Sequence, residues 1–137
     1  MSTQIGSVTL DNDMVWTDEF LHSWLNSSVE ATTGGGVVVQ EFAKSEHGRP
    51  ITLATQDGHG YQKRSTVRSL ADLAKTAGST MTLTITNPDD PLDVTTKRVR
   101  FRTEIEGGPV QFSPSFTYDN IPSEDFYYEG VIYLMVI

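Results

Sequence analysis

Gly48-Arg49-Pro50-Ile51-Thr52-Leu53-Ala54-Thr55, then a polar turn, then Ser65 to Gly78, then Ser79-Thr80-Met81-Thr82-Leu83-Thr84-Ile85-Thr86: the reading of this stretch decides the fold. It predicts strand, loop, helix and strand. Val67, Leu70, Leu73, Ala74 and Ala77 recur at spacings of three and four, which sets them on one helical face. Arg68, Ser69, Asp72, Lys75 and Thr76 fall mostly on the other. The hydroxyl of Ser65 or Thr66 would cap the first turn, and Gly78 would close the last. The apolar stripe is narrow and alanine-rich, so the helix would pack on a sheet along one side. From Thr80 to Thr86 the alternation is strict. Met81, Leu83 and Ile85 point one way and the threonines the other, which predicts one buried and one wet face. Pro50 lacks an N–H and suits the start or edge of a strand.

Everything on either side reads as β-structure. Upstream, Ile5 to Leu10 alternates loosely and predicts one short strand, and Asp11-Asn12-Asp13 a turn. Trp16 and Phe20 are expected as core anchors, and Trp24 as an aromatic against a neighbouring subunit. Val29 to Thr33 and the β-branched run Val37-Val38-Val39-Gln40-Glu41-Phe42 flank Gly34-Gly35-Gly36. No Gly-Lys-Ser/Thr follows the triplet and no helix starts there, so it reads as a hairpin turn rather than a phosphate cradle.

Downstream, Val94 to Arg102 predicts a strand with Val99 and Phe101 inward and Arg98, Arg100 and Arg102 outward. With Met81 to Ile85 it would form a hairpin. Val110 to Phe112 and Ser115 to Tyr118 read as short extended segments around Pro114. The run Phe126-Tyr127-Tyr128-Glu129-Gly130-Val131-Ile132-Tyr133-Leu134-Met135-Val136-Ile137 is apolar on both alternate faces. A strand of that kind is expected to be buried on both faces, with a neighbouring subunit supplying part of the cover.

Composition bounds the rest. The 137 residues, 1–137, suit a single domain with a core of its own. Cysteine is absent, which removes disulfides and thiolate chemistry. Met1-Ser2-Thr3-Gln4-Ile5-Gly6 has no basic region or apolar run and does not read as a secretory signal. The apolar run Val131 to Ile137 is far short of the roughly 20 residues of a membrane span. A net charge of −8 disfavours tight binding to nucleic acid. Lys97 to Arg102 is a local basic exception, read as a strand with a solvated or partner-facing side. The pairs Asp11/Asp13, Asp18/Glu19 and Asp89/Asp90 do not match a calcium loop and read as turn chemistry. His22, His47 and His59 each stand in a polar stretch, without a nucleophile elbow or paired carboxylates. No catalytic residue, metal ligand or cofactor is expected.

The order of signals from residue 5 to residue 102 is a short strand, the acidic turn Leu10-Asp11-Asn12-Asp13-Met14-Val15-Trp16-Thr17-Asp18-Glu19-Phe20, a long hairpin, Gly48-Arg49-Pro50-Ile51-Thr52-Leu53, one helix, and strands ending in Val99-Arg100-Phe101-Arg102. This order resembles small tail and baseplate proteins of bacteriophages, especially modules near the tail tube of contractile and Mu-like tails. The resemblance implies a mainly β fold with one α-helix, a tail-tube-like antiparallel β-barrel or β-sandwich flanked by that helix. It implies a structural virion protein without enzymatic activity. Such a protein assembles in the host cytoplasm as a homo-oligomeric ring, a hexamer or trimer, beside other tail or baseplate proteins. DNA would pass through the lumen without specific binding. The residues expected at subunit interfaces are Trp24, Val37, Val39, Phe42, Tyr127, Tyr128, Val131, Tyr133 and Met135. The alternative is a carbohydrate- or receptor-binding β-sandwich in which Trp24, Tyr61 and Asp57 would meet a sugar.

Overall fold

A computed structural model describes residues 3–21, 25–43, 47–56, 58–76, 78–86, 89–90, 92–115 and 125–137. In chain order the elements are β1 (Thr3–Ile5), β2 (Val8–Thr9), β3 (Val15–Trp16), β4 (Leu25–Ala31), β5 (Val37–Ala43), β6 (Pro50–Ala54) and β7 (Gln62–Lys63). They continue with α1 (Arg64–Ala74), β8 (Met81–Thr86), β9 (Val94–Phe101), β10 (Val110–Pro114) and β11 (Tyr127–Val136). The fold is mainly β, as expected, with a single helix among the described residues, and each pairing of named strands is antiparallel. The main sheet runs β2-β1-β8-β9-β11-β6-β3, and β4 and β5 form a separate sheet. The two end strands, β2 and β3, do not pair, so the sheet is open and sandwich-like rather than a closed barrel.

The organising element is β11, not the strand–helix–strand unit. One of its edges pairs with β9 and then β10, the other with β6 and then β7. Ten residues therefore hold four neighbours in place. Its core side carries Ile132, Leu134 and Val136 into a cluster with Ile51, Leu53, Leu83, Val99 and Phe101. Where β10 crosses, the backbone comes so close that a Cβ on Gly130 would sit 2.0 Å from the Gln111 oxygen and 2.7 Å from the Phe112 Cα. Only glycine fits there.

The expected double burial of β11 is not met within the chain. Val131, Tyr133, Met135 and Ile137 on the second face are only partly covered. Period-two patterning shows that a face is apolar, but not that the same chain covers it.

The helix occupies the core side of the sheet. Leu70 is buried and Leu73 and Ala74 pack on the cluster, as the spacing predicted, while Thr66 is buried beside them and Val67 is only partly covered. Ala77 lies outside the described residues. Both ends differ from expectation. The helix stops at Ala74, with Lys75 as its C-cap in ordinary helical geometry, and Gly78 follows in a later turn at φ +71°. At the start, no side chain of the cap residue bonds the first turn. The Thr66 hydroxyl instead donates to Asp11 Oδ2 at 2.6 Å, and the Lys63 N–H donates to the same oxygen at 2.9 Å. A carboxylate from more than fifty residues upstream thus serves the helix N-terminus, where negative charge is favoured.

Two further expectations are corrected, and a third falls almost wholly outside the described residues. Ile5 to Leu10 is two strands, not one, because the chain reverses at Gly6 (φ +58°) and pairs Ile5 with Val8. Phe20 is not a core anchor but 80 % exposed. The turn that carries it is held by polar bonds that leave the ring in solvent. Ser115 follows β10 outside any strand, and the rest of the predicted segment to Tyr118 lies outside the described residues. The β8–β9 hairpin, the strand start at Pro50 and the hairpin across the glycine triplet stand as read.

Candidate functional site

Two surfaces stand out, a projecting arm and an open sheet face. The arm is the β4–β5 hairpin. Its turn closes when the Thr32 N–H donates to Gly36 O at 2.8 Å and the Gly36 N–H donates to Thr32 Oγ1 at 3.0 Å, with Gly35 at φ +82°. Its strands bond to each other and to no strand of the main sheet. Residues 28–41 are all exposed. Seven residues per strand at about 3.3 Å each make an arm about 23 Å long. The register aligns Val29 with Val39 and Ala31 with Val37, so one face is apolar. Val37 and Val39 are 61 % and 56 % exposed. Glu41 shares that face by alternation, while Ser28, Glu30, Val38 and Gln40 take the other. The arm holds two acidic residues and no basic one.

An isolated two-stranded hairpin is marginal in water, and exposed valines make it a site for association. Val37 and Val39, expected at a subunit interface, are exposed on this arm. Phe42 falls in β5 with its side chain outside the described set, and Trp24 lies outside the described residues.

The second surface is the wet face of β9, β11 and β6. Register aligns Val15, Ala54 and Val131 in one row across three strands. A second row sets Thr52 beside Tyr133, with the Arg102 guanidinium 5.0 Å from the Tyr133 ring centre. A third aligns Pro50, Met135 and Arg100, and Arg100 donates to the Met135 Sδ at 3.6 Å. The result is an apolar centre with an arginine border. Arg100 also stands 3.8 Å from Glu104, and Arg98 donates to Thr80 Oγ1 at 2.8 Å. Of the predicted interface residues, Val131, Tyr133 and Met135 come together here. Tyr127 and Tyr128 lie further along the strand beside β7 and β10, with Tyr127 exposed.

The rim beside this face is locked. Asp18 Oδ1 accepts the Thr52 N–H at 2.8 Å, and Oδ2 accepts the Thr52 hydroxyl at 3.0 Å. That hydroxyl in turn accepts from Arg102 at 3.0 Å. The N–H that an incoming strand would use on β6 is already taken, which protects the edge from strand addition. Nearby, Arg49 is 4 % exposed, its guanidinium 5.1 Å from the Trp16 ring centre and donating to the Glu19 carbonyl. Sequence reading missed both, since neither Asp18 nor Arg49 carries a local signal of its partner.

A third feature is a cleft of about 310 Å³ bordered by Asn12, Tyr61, Ser115 and Tyr127. Two of its polar groups are spent on backbone: Asn12 Nδ2 donates to Tyr61 O at 2.6 Å and Ser115 Oγ to Tyr127 O at 2.8 Å. Of the residues named for sugar binding only Tyr61 is here. Asp57 and Trp24 lie outside the described residues. His59 pairs with Gln56 through backbone bonds at the tip of an exposed loop. Among the described residues no three His, Asp or Glu side chains gather to hold a metal ion, and no helix is long and apolar enough to cross a membrane. Comparison with protein-family models, with curated proteins and with solved structures finds no match.

Proposed function

We propose that this chain is a structural subunit that assembles with copies of itself, and that the assembly is a ring of a phage tail tube or baseplate. The supporting observation is the β4–β5 arm, a hairpin in a sheet of its own with its valine face in solvent. A subunit that worked alone would have no use for such an arm, which is an aggregation hazard until a partner covers it. The mainly β fold with one helix agrees with the tail-module resemblance. The net charge of −8 suits a lumen through which DNA slides without sticking. Neighbouring tail or baseplate proteins would then contact the ring's two ends.

The test is the mass of the full chain across a concentration series, by native mass spectrometry and sedimentation, with electron microscopy of the largest species. Closed rings or a concentration-dependent oligomer series support the proposal. A monomer at every concentration overturns it, and a monomer that binds a glycan array would move the function to the Tyr61–Tyr127 cleft.

A further inference from the structure

The arm and the open sheet face are both apolar at their centres and opposite in charge at their borders. The arm presents a flat strip of Val29, Val37 and Val39 with Glu41 at its root. The sheet presents Val131, Tyr133 and Met135 beside Arg100 and Arg102. The basic side of the match is unusual for this chain. Arg98, Arg100 and Arg102 are three of its ten basic residues and fall on one face of the chain within five positions.

Two other modes of docking fit less well. Strand addition at β6 meets an N–H that Asp18 already holds, and the end strands β2 and β3 are two residues each. Pairing of one arm's valine face with another's would cover Glu41 of both copies with no cation on either arm to balance them.

We propose that the valine face of one copy's β4–β5 arm seats on the β9–β11–β6 face of a second copy, with Glu41 against the arginine border. This rests on the self-assembly reading and names the contact that drives it. The two surfaces are different, so the contact is head-to-tail and propagates from copy to copy until a ring closes. It also explains both unfinished surfaces at once. The second face of β11 gains the cover that the chain itself does not provide, and Glu41 brings a carboxylate to the arginine border.

Sedimentation of the full chain and of Val39→Asp, Glu41→Arg, Arg100→Glu and the double variant Glu41→Arg/Arg100→Glu tests the contact. Circular dichroism and melting of each confirm that the monomer is folded. Each single variant is expected to weaken association by about tenfold or more, and the double variant to regain most of the loss over Glu41→Arg alone. If the native chain associates and Val39→Asp and Arg100→Glu leave it unchanged, this contact is overturned while self-assembly stands. Weakening by Val39→Asp with no effect at Arg100 and no rescue in the double variant also overturns it, in favour of arm-to-arm pairing. If the native chain never associates, self-assembly and this contact fall together.

Discussion

The carboxylate of Asp18 holds both the backbone N–H and the hydroxyl of Thr52, 34 residues further on, at 2.8 and 3.0 Å. Here the Thr17 N–H donates to Thr52 O at 3.0 Å, and the Asp18 side chain takes the Thr52 N–H that the neighbouring backbone leaves open. Asp18→Ala should lower stability by about 2 kcal/mol, and Asp18→Asn, which keeps one acceptor, by about half that. Urea unfolding measures both. Asp18→Ala should also aggregate faster, since it opens an edge N–H.

The Lys63 N–H and the Thr66 hydroxyl share one carboxylate oxygen of Asp11 at the start of α1. Asp11→Ala should cost about 1–2 kcal/mol, because the Lys63 N–H and the Thr66 hydroxyl both lose their acceptor. Thr66→Val should cost less. A double-mutant cycle should return a coupling of about 1 kcal/mol, since the second change removes a bond already gone.

Gly130→Ala should be among the most damaging small substitutions. The added methyl would meet backbone, at Gln111 O and Phe112 Cα, and backbone cannot step aside as a flexible side chain can. A loss of about 3 kcal/mol or more is expected in thermal or urea melts.

Adjacent residues of β11 should respond very differently. Leu134 is fully buried, so Leu134→Ala should cost about 3 kcal/mol. Met135 faces the open surface, and Met135→Ala should cost about 1 kcal/mol or less in the monomer. Equal losses at the two positions would mean that the second face is buried after all.

Val37→Ser and Val39→Ser should leave the monomer's unfolding free energy within about 0.5 kcal/mol, because both side chains are in solvent. Their effect should appear in the mass distribution.

Much of this fold was legible because one-sided burial imprints a period. Met81, Leu83, Val99 and Phe101 alternate with threonines and arginines, and the structure buries those four. Leu70, Leu73 and Ala74 announced the helix in the same way. The glycine triplet marked the arm's turn. What stayed hidden is relational. Nothing near Asp11 points to Lys63 and Thr66, and nothing near Gln62 says that it is fully buried. There its amide bonds the backbone of Asp11, Asn12 and Gly60. Strands of two residues, such as β3 and β7, are too short to carry a period. The apolar character of Val131, Tyr133 and Met135 was plain, but which molecule covers them is not a property of the pattern. Phe20 failed for the converse reason, since an aromatic residue in an acidic turn has no period to fix its side.

The four-sided role of β11 also orders events in time. Its partners β6, β7, β9 and β10 all precede it in the chain. During synthesis the helix and the β8–β9 hairpin can form from local contacts, whereas β6, β7, β10 and the second edge of β9 wait for their common neighbour. Until β11 emerges, the edges of β6 and β9 that it will cover stay open, so the nascent chain depends on holding those edges apart. Folding should then complete in one late, long-range step, with a slow rate typical of distant strand pairings.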